Sequence, residues 1–299
     1  MVVARAPLRV AFAGGGSDIE PYCSEYGGCV MSAAIQMYAR ATYFPSYANK
    51  TTNQSEIEKT ITNCFDAKGG LKLENEAEPM AGLGGSASCF VAGIKCLKPD
   101  MEKKEIAELA FHLERNVMGV AGGKQDQYAA SYGGMNFLRF EHRMTVVYPL
   151  VPPEELEKLL VLVYLGKRNY AGKDIIKDQM ARDNIENFRE QKQIASVMRT
   201  ALLSNDLLAF GNLIEMAWQS KLKFSPLIAT DEIKAFHDNC LKNGAIAGKL
   251  TGAGGGGYMV LMENPGRVGE LRNYLATQKI DYKDVKFDLE GVKCLKKRI

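Results

Sequence analysis

Apolar positions follow two rhythms along the chain. Short apolar-rich runs predict strands at 8–13 (L-R-V-A-F-A), over 29–45, at 69–75 (G-G-L-K-L-E-N) and at 159–165 (L-L-V-L-V-Y-L), the last of them buried. M-N-F-L-R-F (135–140) and T-V-V-Y-P-L (145–150) predict a hairpin. Helical spacing dominates 102–118, where Ile106, Leu109, Ala110, Leu113 and Val117 recur and place Glu114 at the border of the apolar face. Residues 172–223 read as largely helical, with Ile175, Ile176, Met180, Ile185, Phe188, Ile194, Val197 and Met198 on apolar faces. A helix at 231–243, a strand, a glycine-rich turn, a second strand, a helix near 266–278 and a terminal strand complete the pattern. The stretch 48–63 is polar and predicted to lie at the surface. Strands mixed with helices in this way predict an α+β protein of two lobes, 1–152 and 153–299, divided at V-P-P-E-E.

Composition narrows the function classes. A chain of 299 residues that is 46% hydrophobic can bury a large core. With 38 basic and 35 acidic residues, the net charge of +3 does not suggest general nucleic-acid binding, so any anion recognition must be local. Seven cysteines without a C-x-x-C pair suggest a reducing compartment. His112, His142 and His237 are too scattered to suggest a zinc site. No apolar run reaches the ~18 residues of a membrane span and no signal peptide is visible, so a cytoplasmic protein is expected.

Three glycine-rich loops carry candidate chemistry. A-F-A-G-G-G-S-D (11–18) lacks the G-x-G-x-x-G spacing and by itself reads as a turn. G-K-R-N-Y-A-G-K-D (166–174) fails as a P-loop, because five residues separate its glycines and Asp174 replaces the Ser or Thr that would hold magnesium. G-L-G-G-S-A-S (82–88) opens a helix. There, small residues admit backbone N–H groups to an anion and the helix dipole points at the same place. Alone it permits both a phosphate cradle and a plain helix cap. Glu114 on one helix and Asp126 at the start of another extend the set. Ser86, Glu114 and Asp126 match the needs of phosphoryl transfer, namely metal ligands and a group for the acceptor's proton. A solvated helix-face charge and a helix cap are the plain alternatives for the two acids.

Three motifs in order, R-A-P-L-R-V-A-F-A-G-G-G-S-D (5–18), P-M-A-G-L-G-G-S-A-S (79–88) and K-L-T-G-A-G-G-G-G (249–257), make the chain resemble the GHMP kinases over nearly its whole length. G-G-K-Q-D-Q-Y-A-A-S-Y-G-G (122–134) resembles the sugar-kinase branch. The resemblance implies an N-terminal lobe with a left-handed β-α-β unit, a ferredoxin-like C-terminal lobe, and ATP between them. It implies ATP binding by Gly82, Leu83, Gly84, Gly85, Ser86, Ala87 and Ser88, and Mg²⁺ held by Ser86 and Glu114. Asp126 would be the catalytic aspartate, Arg9 would steady the transferring phosphoryl group, and Asp18, with Gly16 and Ser17 in its motif, would meet sugar hydroxyls. Thr251 and Gly252 would line the site from the second lobe. Met80 stands where the family often has glycine, and Gly85 replaces the first serine of G-L-G-S-S.

Within the family, E-R-x-x-x-G-x-x-G-G-K-Q-D-Q-Y-A-A and W-x-x-K-L-K-x-S-P are most similar to bacterial heptose 7-phosphate kinases. That branch phosphorylates the anomeric hydroxyl of an already phosphorylated sugar, toward nucleotide-activated heptose. A sugar phosphate needs cations beyond those serving ATP. Lys167, Arg168 and Lys173 form one basic group, and Lys221 and Lys223 another. Trp218 reads as core. The partners expected are ATP and a sugar phosphate, with no nucleic acid or membrane, and a homodimer is compatible with the reading. A neutral-sugar kinase of the galactokinase or fucokinase type and a non-catalytic nucleotide or sugar sensor are the alternatives.

Overall fold

The computed structural model describes residues 1–45, 54–141 and 144–297. His142 and the first part of the polar stretch 48–63, residues 48–53, lie outside the described residues. The strands are β1 (Val2–Ala13), β2 (Gly28–Phe44), β3 (Gly70–Asn75), β4 (Met135–Glu141), β5 (Met144–Leu150), β6 (Leu160–Tyr164), β7 (Ala245–Leu250), β8 (Tyr258–Glu263), β9 (Tyr282–Asp284) and β10 (Lys293–Lys297). The first lobe's helices are α1 (Tyr22–Tyr26), α2 (Glu56–Cys64), α3 (Gly85–Leu97), α4 (Lys103–Phe111) and α5 (Gln125–Tyr132). The second lobe's are α6 (Glu154–Leu159), α7 (Gly172–Met180), α8 (Ile185–Leu203), α9 (Leu207–Leu222), α10 (Asp231–Lys242) and α11 (Glu270–Thr277). None is long and apolar enough to cross a membrane among the described residues.

One sheet runs β10-β1-β2-β4-β5, with β3 also paired to β2. The other runs β7-β8-β6-β9 and is antiparallel throughout. Numbering its own strands in chain order gives 4-1-3-2, the split β-α-β order of a ferredoxin-like lobe. The terminal strand belongs to the first sheet, pairing Val2 with Lys297 and Arg5 with Lys293. The division at 152 therefore separates the two sheets except for this returning tail. A large apolar core crosses the division, joining Leu8, Val10, Met31 and Ile35 to Leu160, Leu162, Val260 and Met262 through α8 and α9. Trp218 is buried in a second cluster beneath α10 and α11. Ile185 and Val197, expected on apolar faces, point to solvent.

The return of the chain is held at Asp288. Its buried carboxylate accepts from the amides of Glu290 (3.1 Å) and Gly291 (2.7 Å) and from the Tyr38 hydroxyl (2.9 Å), and Arg5 stacks on the Tyr38 ring at 4.3 Å. Asp288→Ala leaves three donors without their acceptor. It is expected to lower stability by about 2–4 kcal/mol in urea titrations.

Two local departures from regular structure aim the side chains of the site. The pairing of β1 with β2 slips between Pro7 and Leu8. Before this bulge, Ala4 and Ala6 face the core under α3; after it, Leu8 and Val10 face the shared core. Opposite this step β2 carries two extra residues, Gln36 and Met37, and across it β1 exchanges faces, so Arg9 points toward α3 and α5. Ser88 on α3 donates to the Pro7 carbonyl at the bulge, at 2.8 Å. The second departure lies at the end of α4, where His112–Val117 widens into a π-helix. The wider turn rotates the side chains within and beyond it. Glu114, expected at the border of the apolar face, is 3% exposed, while Val117, expected on that face, is 58% exposed.

Candidate active site

A cleft of about 620 Å³ opens between the lobes, lined by residues 82–86, Glu114, Asp126, Arg168 and the Gly252 turn. Its wall is built by two glycine-rich loops packed backbone to backbone. Tyr258 donates its amide to the Ala81 carbonyl at 2.9 Å, and Arg9 its amide to Leu83 at 3.0 Å. A Cβ at Gly82, where φ is +87°, would lie 2.5 Å from the Thr251 carbonyl oxygen. The sequence reading assigned the glycines to phosphate approach. The structure adds that Gly82 is required by loop-on-loop contact, while the Asn75 side chain packs against Gly85. Met80 takes a left-handed φ of +62°, a conformation that suits glycine, at the position where the resembling family often carries one.

Gly84, also left-handed, is the N-cap of α3 and supplies no side chain to the helix's first amides. Those amides and the helix dipole are a ready anion site. Leu83, Ala87 and Ser88 are buried, so they offer a ligand only backbone, while Ser86 is exposed at the cleft.

Facing this helix start, Asp126 lies in the first turn of α5. Arg9 donates from Nε to Asp126 Oδ1 at 2.9 Å, approaches the same oxygen with Nη2 at 2.8 Å, and donates from Nη1 to the Gly82 carbonyl at 2.5 Å. Arg9 therefore ties the aspartate to the loop. Behind Ser86, whose hydroxyl helps to stabilise the carboxylate's charge, Glu114 accepts from Gln127 Nε2 at 2.6 Å. Burial pushes the Glu114 carboxyl above its ordinary range, against the pull of Arg115 3.8 Å away. A buried carboxylate and an exposed hydroxyl side by side form an oxygen pair that suits Mg²⁺, whose remaining ligands would be phosphate and water. No group of three His, Cys, Asp or Glu gathers around a metal position among the described residues.

Asp18 does not line the cleft but is buried behind Gly16 and Gln125, which do; it accepts from Gln125 Nε2 (3.1 Å to each oxygen) and from the Gly16 amide (3.2 Å). Burial raises its pKa, and so does Asp126 nearby. Gly16 lines the cleft, whereas buried Ser17 bonds the Gly14 and Cys29 carbonyls and holds the loop. Arg168, Lys173 and Lys221 line the cavity; exposed Lys167 does not, and Lys223 pairs with Glu190 at 3.1 Å outside it. Gly252 lines the cleft while buried Thr251 closes the turn through the Tyr258 carbonyl. Lys249, present in the third motif but not singled out from the sequence, is buried on the cleft floor. Arg115 was also missed; it braces the turn before α5 by donating to the carbonyls of Val120, Ala121 and Gly123. Its sequence signal is its place beside Glu114 at the head of E-R-x-x-x-G-x-x-G-G.

Two family domains match the sequence: the GHMP kinases N terminal domain over residues 47–134 and the GHMP kinases C terminal over 198–281. A D-glycero-alpha-D-manno-heptose 7-phosphate kinase of Campylobacter jejuni is 31% identical, over 97% of each chain. A bifunctional fucokinase/GDP-fucose pyrophosphorylase of Arabidopsis thaliana is 26% identical over 90% of this chain and 30% of its own length. The crystal structure of a D-glycero-D-manno-heptose 1-phosphate kinase from Bacteriodes thetaiotaomicron superposes with a TM-score of 0.79 at 26% identity, covering all of both chains. Domain order, full-length similarity and the cleft's architecture agree: the chain belongs to the GHMP kinases and is an ATP-dependent sugar kinase.

Proposed function

We propose that the protein phosphorylates the anomeric hydroxyl of a heptose 7-phosphate, for nucleotide-activated heptose synthesis. The observation that carries this reading is the cleft's charge. Four buried or half-buried basic side chains, Arg9, Arg168, Lys221 and Lys249, line it, against the carboxylate of Asp126 and that of buried Asp18 behind Gly16. ATP phosphates meet the uncapped start of α3, and a second anionic group accounts for basic side chains gathered away from that helix start. The Campylobacter jejuni relative, named for a heptose 7-phosphate, supports the same choice.

In this reading residues 82–88 hold the ATP phosphates, and Ser86 and Glu114 hold Mg²⁺. The metal, when bound, offsets negative charge on the phosphates. Asp126 orients the acceptor hydroxyl and takes its proton, and Arg9 places a fixed positive charge beside the transferring group. Asp18, with Gly16, receives sugar hydroxyls. Arg168 and Lys221 stand nearer the sugar's phosphate than Lys167 and Lys223, which the fold leaves outside the cavity.

A coupled assay of ADP formation across a panel of sugars tests the substrate. Heptose 7-phosphate is expected to be turned over with kcat/KM at least tenfold above galactose or fucose. Turnover of the neutral sugars alone would overturn the assignment in favour of a neutral-sugar kinase.

A further inference from the structure

Lys249 and Lys221 bring two side-chain amines into the cleft from different elements. Lys249 rises from β7 and is 3% exposed; its Nζ donates to the Ala11 carbonyl of β1 at 3.1 Å and to Leu250 at 3.5 Å. Lys221, in the last turn of α9, is 7% exposed and donates to the Gly252 carbonyl. Neither is among the ion pairs of the described residues, and Arg168, whose Nε is buried without a hydrogen-bond partner, is not among them either. The charged groups facing the two lysines are Arg9 from β1, Arg168 from the loop after β6, and Asp18. Asp126 from α5 faces Arg168 and is paired with Arg9.

Carbonyl oxygens satisfy N–H groups of an amine but do not cancel a buried charge. Burial and the surrounding cations therefore favour the neutral amines, and a dianion placed among them reverses that balance. The pKa directions agree. Burial, then Arg9, brings Lys249 down to about 7, and burial, then Lys249, Arg168 and Arg9, hold Lys221 well below its ordinary value.

We propose that Lys221 and Lys249 form a phosphate subsite that becomes fully cationic only as a phosphate dianion enters, so that binding of the phosphorylated sugar is coupled to proton uptake. The inference rests on the sugar-phosphate reading above. The protons come from solvent and add to the Nζ lone pairs, and no other bond changes. Each ammonium then donates to the phosphate as well as to its carbonyls, a charge-assisted contact stronger than a neutral one.

Calorimetric titration of the full chain at pH 8, in two buffers of different ionisation enthalpy, tests this. Heptose 7-phosphate binding is expected to be accompanied by uptake of more than one proton, about one of them onto Lys249, whose share shrinks as the pH falls to 6. Lys249→Arg, which keeps its charge, should bind the sugar phosphate with the uptake lowered by about one proton, and Lys221→Arg combined with it should abolish the remainder. Lys249→Met should raise its KM by about 10- to 100-fold, while the KM for ATP changes far less. Binding without a buffer-dependent heat at pH 8, or uptake undiminished in Lys249→Arg, would overturn the subsite. The same titration with inorganic phosphate separates this idea from the substrate assignment. If heptose 7-phosphate does not bind but phosphate binds with proton uptake that Lys249→Arg lowers, the subsite stands and the sugar assignment fails. If phosphate and heptose 7-phosphate both bind without uptake, or neither binds, the subsite fails.

Discussion

Asp126→Asn is expected to lower turnover by about 10²- to 10⁴-fold, the range for losing a positioned acid–base group, with ATP affinity nearly unchanged. The geometry predicts this split. Asp126 stands opposite the start of α3 with one oxygen bound to Arg9, and it contributes nothing to the backbone of residues 82–88. Asparagine keeps the Oδ1 acceptor for Arg9, so the link through Arg9 to the Gly82 carbonyl survives. What it loses is the carboxylate's capacity to accept a proton. Turnover by stopped assay and nucleotide affinity by calorimetry check the prediction. A parallel loss of both would show that Asp126 acts by holding the loop.

Glu114→Gln is expected to cost about 10²- to 10³-fold in turnover and to raise the Mg²⁺ concentration needed for half-maximal rate, consistent with losing a ligand worth several kcal/mol to a bound metal. Its effect on stability should be opposite in sign or absent. The carboxylate is buried, its pKa is raised by burial, and its nearest cation is 3.8 Å away. A neutral amide of the same shape removes a buried charge and can still bond Gln127. Thermal melts without Mg²⁺ should therefore show an unchanged or higher midpoint beside the fall in rate. A lower midpoint with unaltered Mg²⁺ dependence would make Glu114 a structural residue.

These two acids show how differently a site can be legible. Asp126 was readable from G-G-K-Q-D-Q-Y, because a polar residue at a helix start after glycines is a local pattern. Glu114 was readable as a residue but not as a buried one. An unbroken 3.6-residue period puts it at the border of the apolar face and Val117 on that face. The π turn moves the first into the interior and the second out to solvent. Nothing in H-L-E-R-N-V demands that extra residue in the turn, which is held by packing against the cleft and by the hydrogen bond from Gln127. Arg9 is a parallel case, since only the slip at Pro7 and Leu8 turns it toward α3 and α5. The basic residues divide in the same way. Lys167, Arg168 and Lys173 are neighbours in sequence, yet only Arg168 and Lys173 line the cleft.

The sequence by itself determined the α+β class, the order of nearly every element, the ferredoxin-like second lobe and the kinase family. All of these rest on local periodicity or on ordered motifs, and local patterns survive without knowledge of the fold. The tertiary structure decided that the last strand returns to the first sheet and that one core joins the lobes. It also decided that Arg9 and Glu114 turn inward and that Lys249 shares the cleft with Lys221. Those outcomes depend on contacts between residues far apart in the chain and on local irregularities, a bulge in the strand pairing and a π turn in the helix. Such an irregularity redirects a face at little local cost, and only the packing of the whole chain selects it.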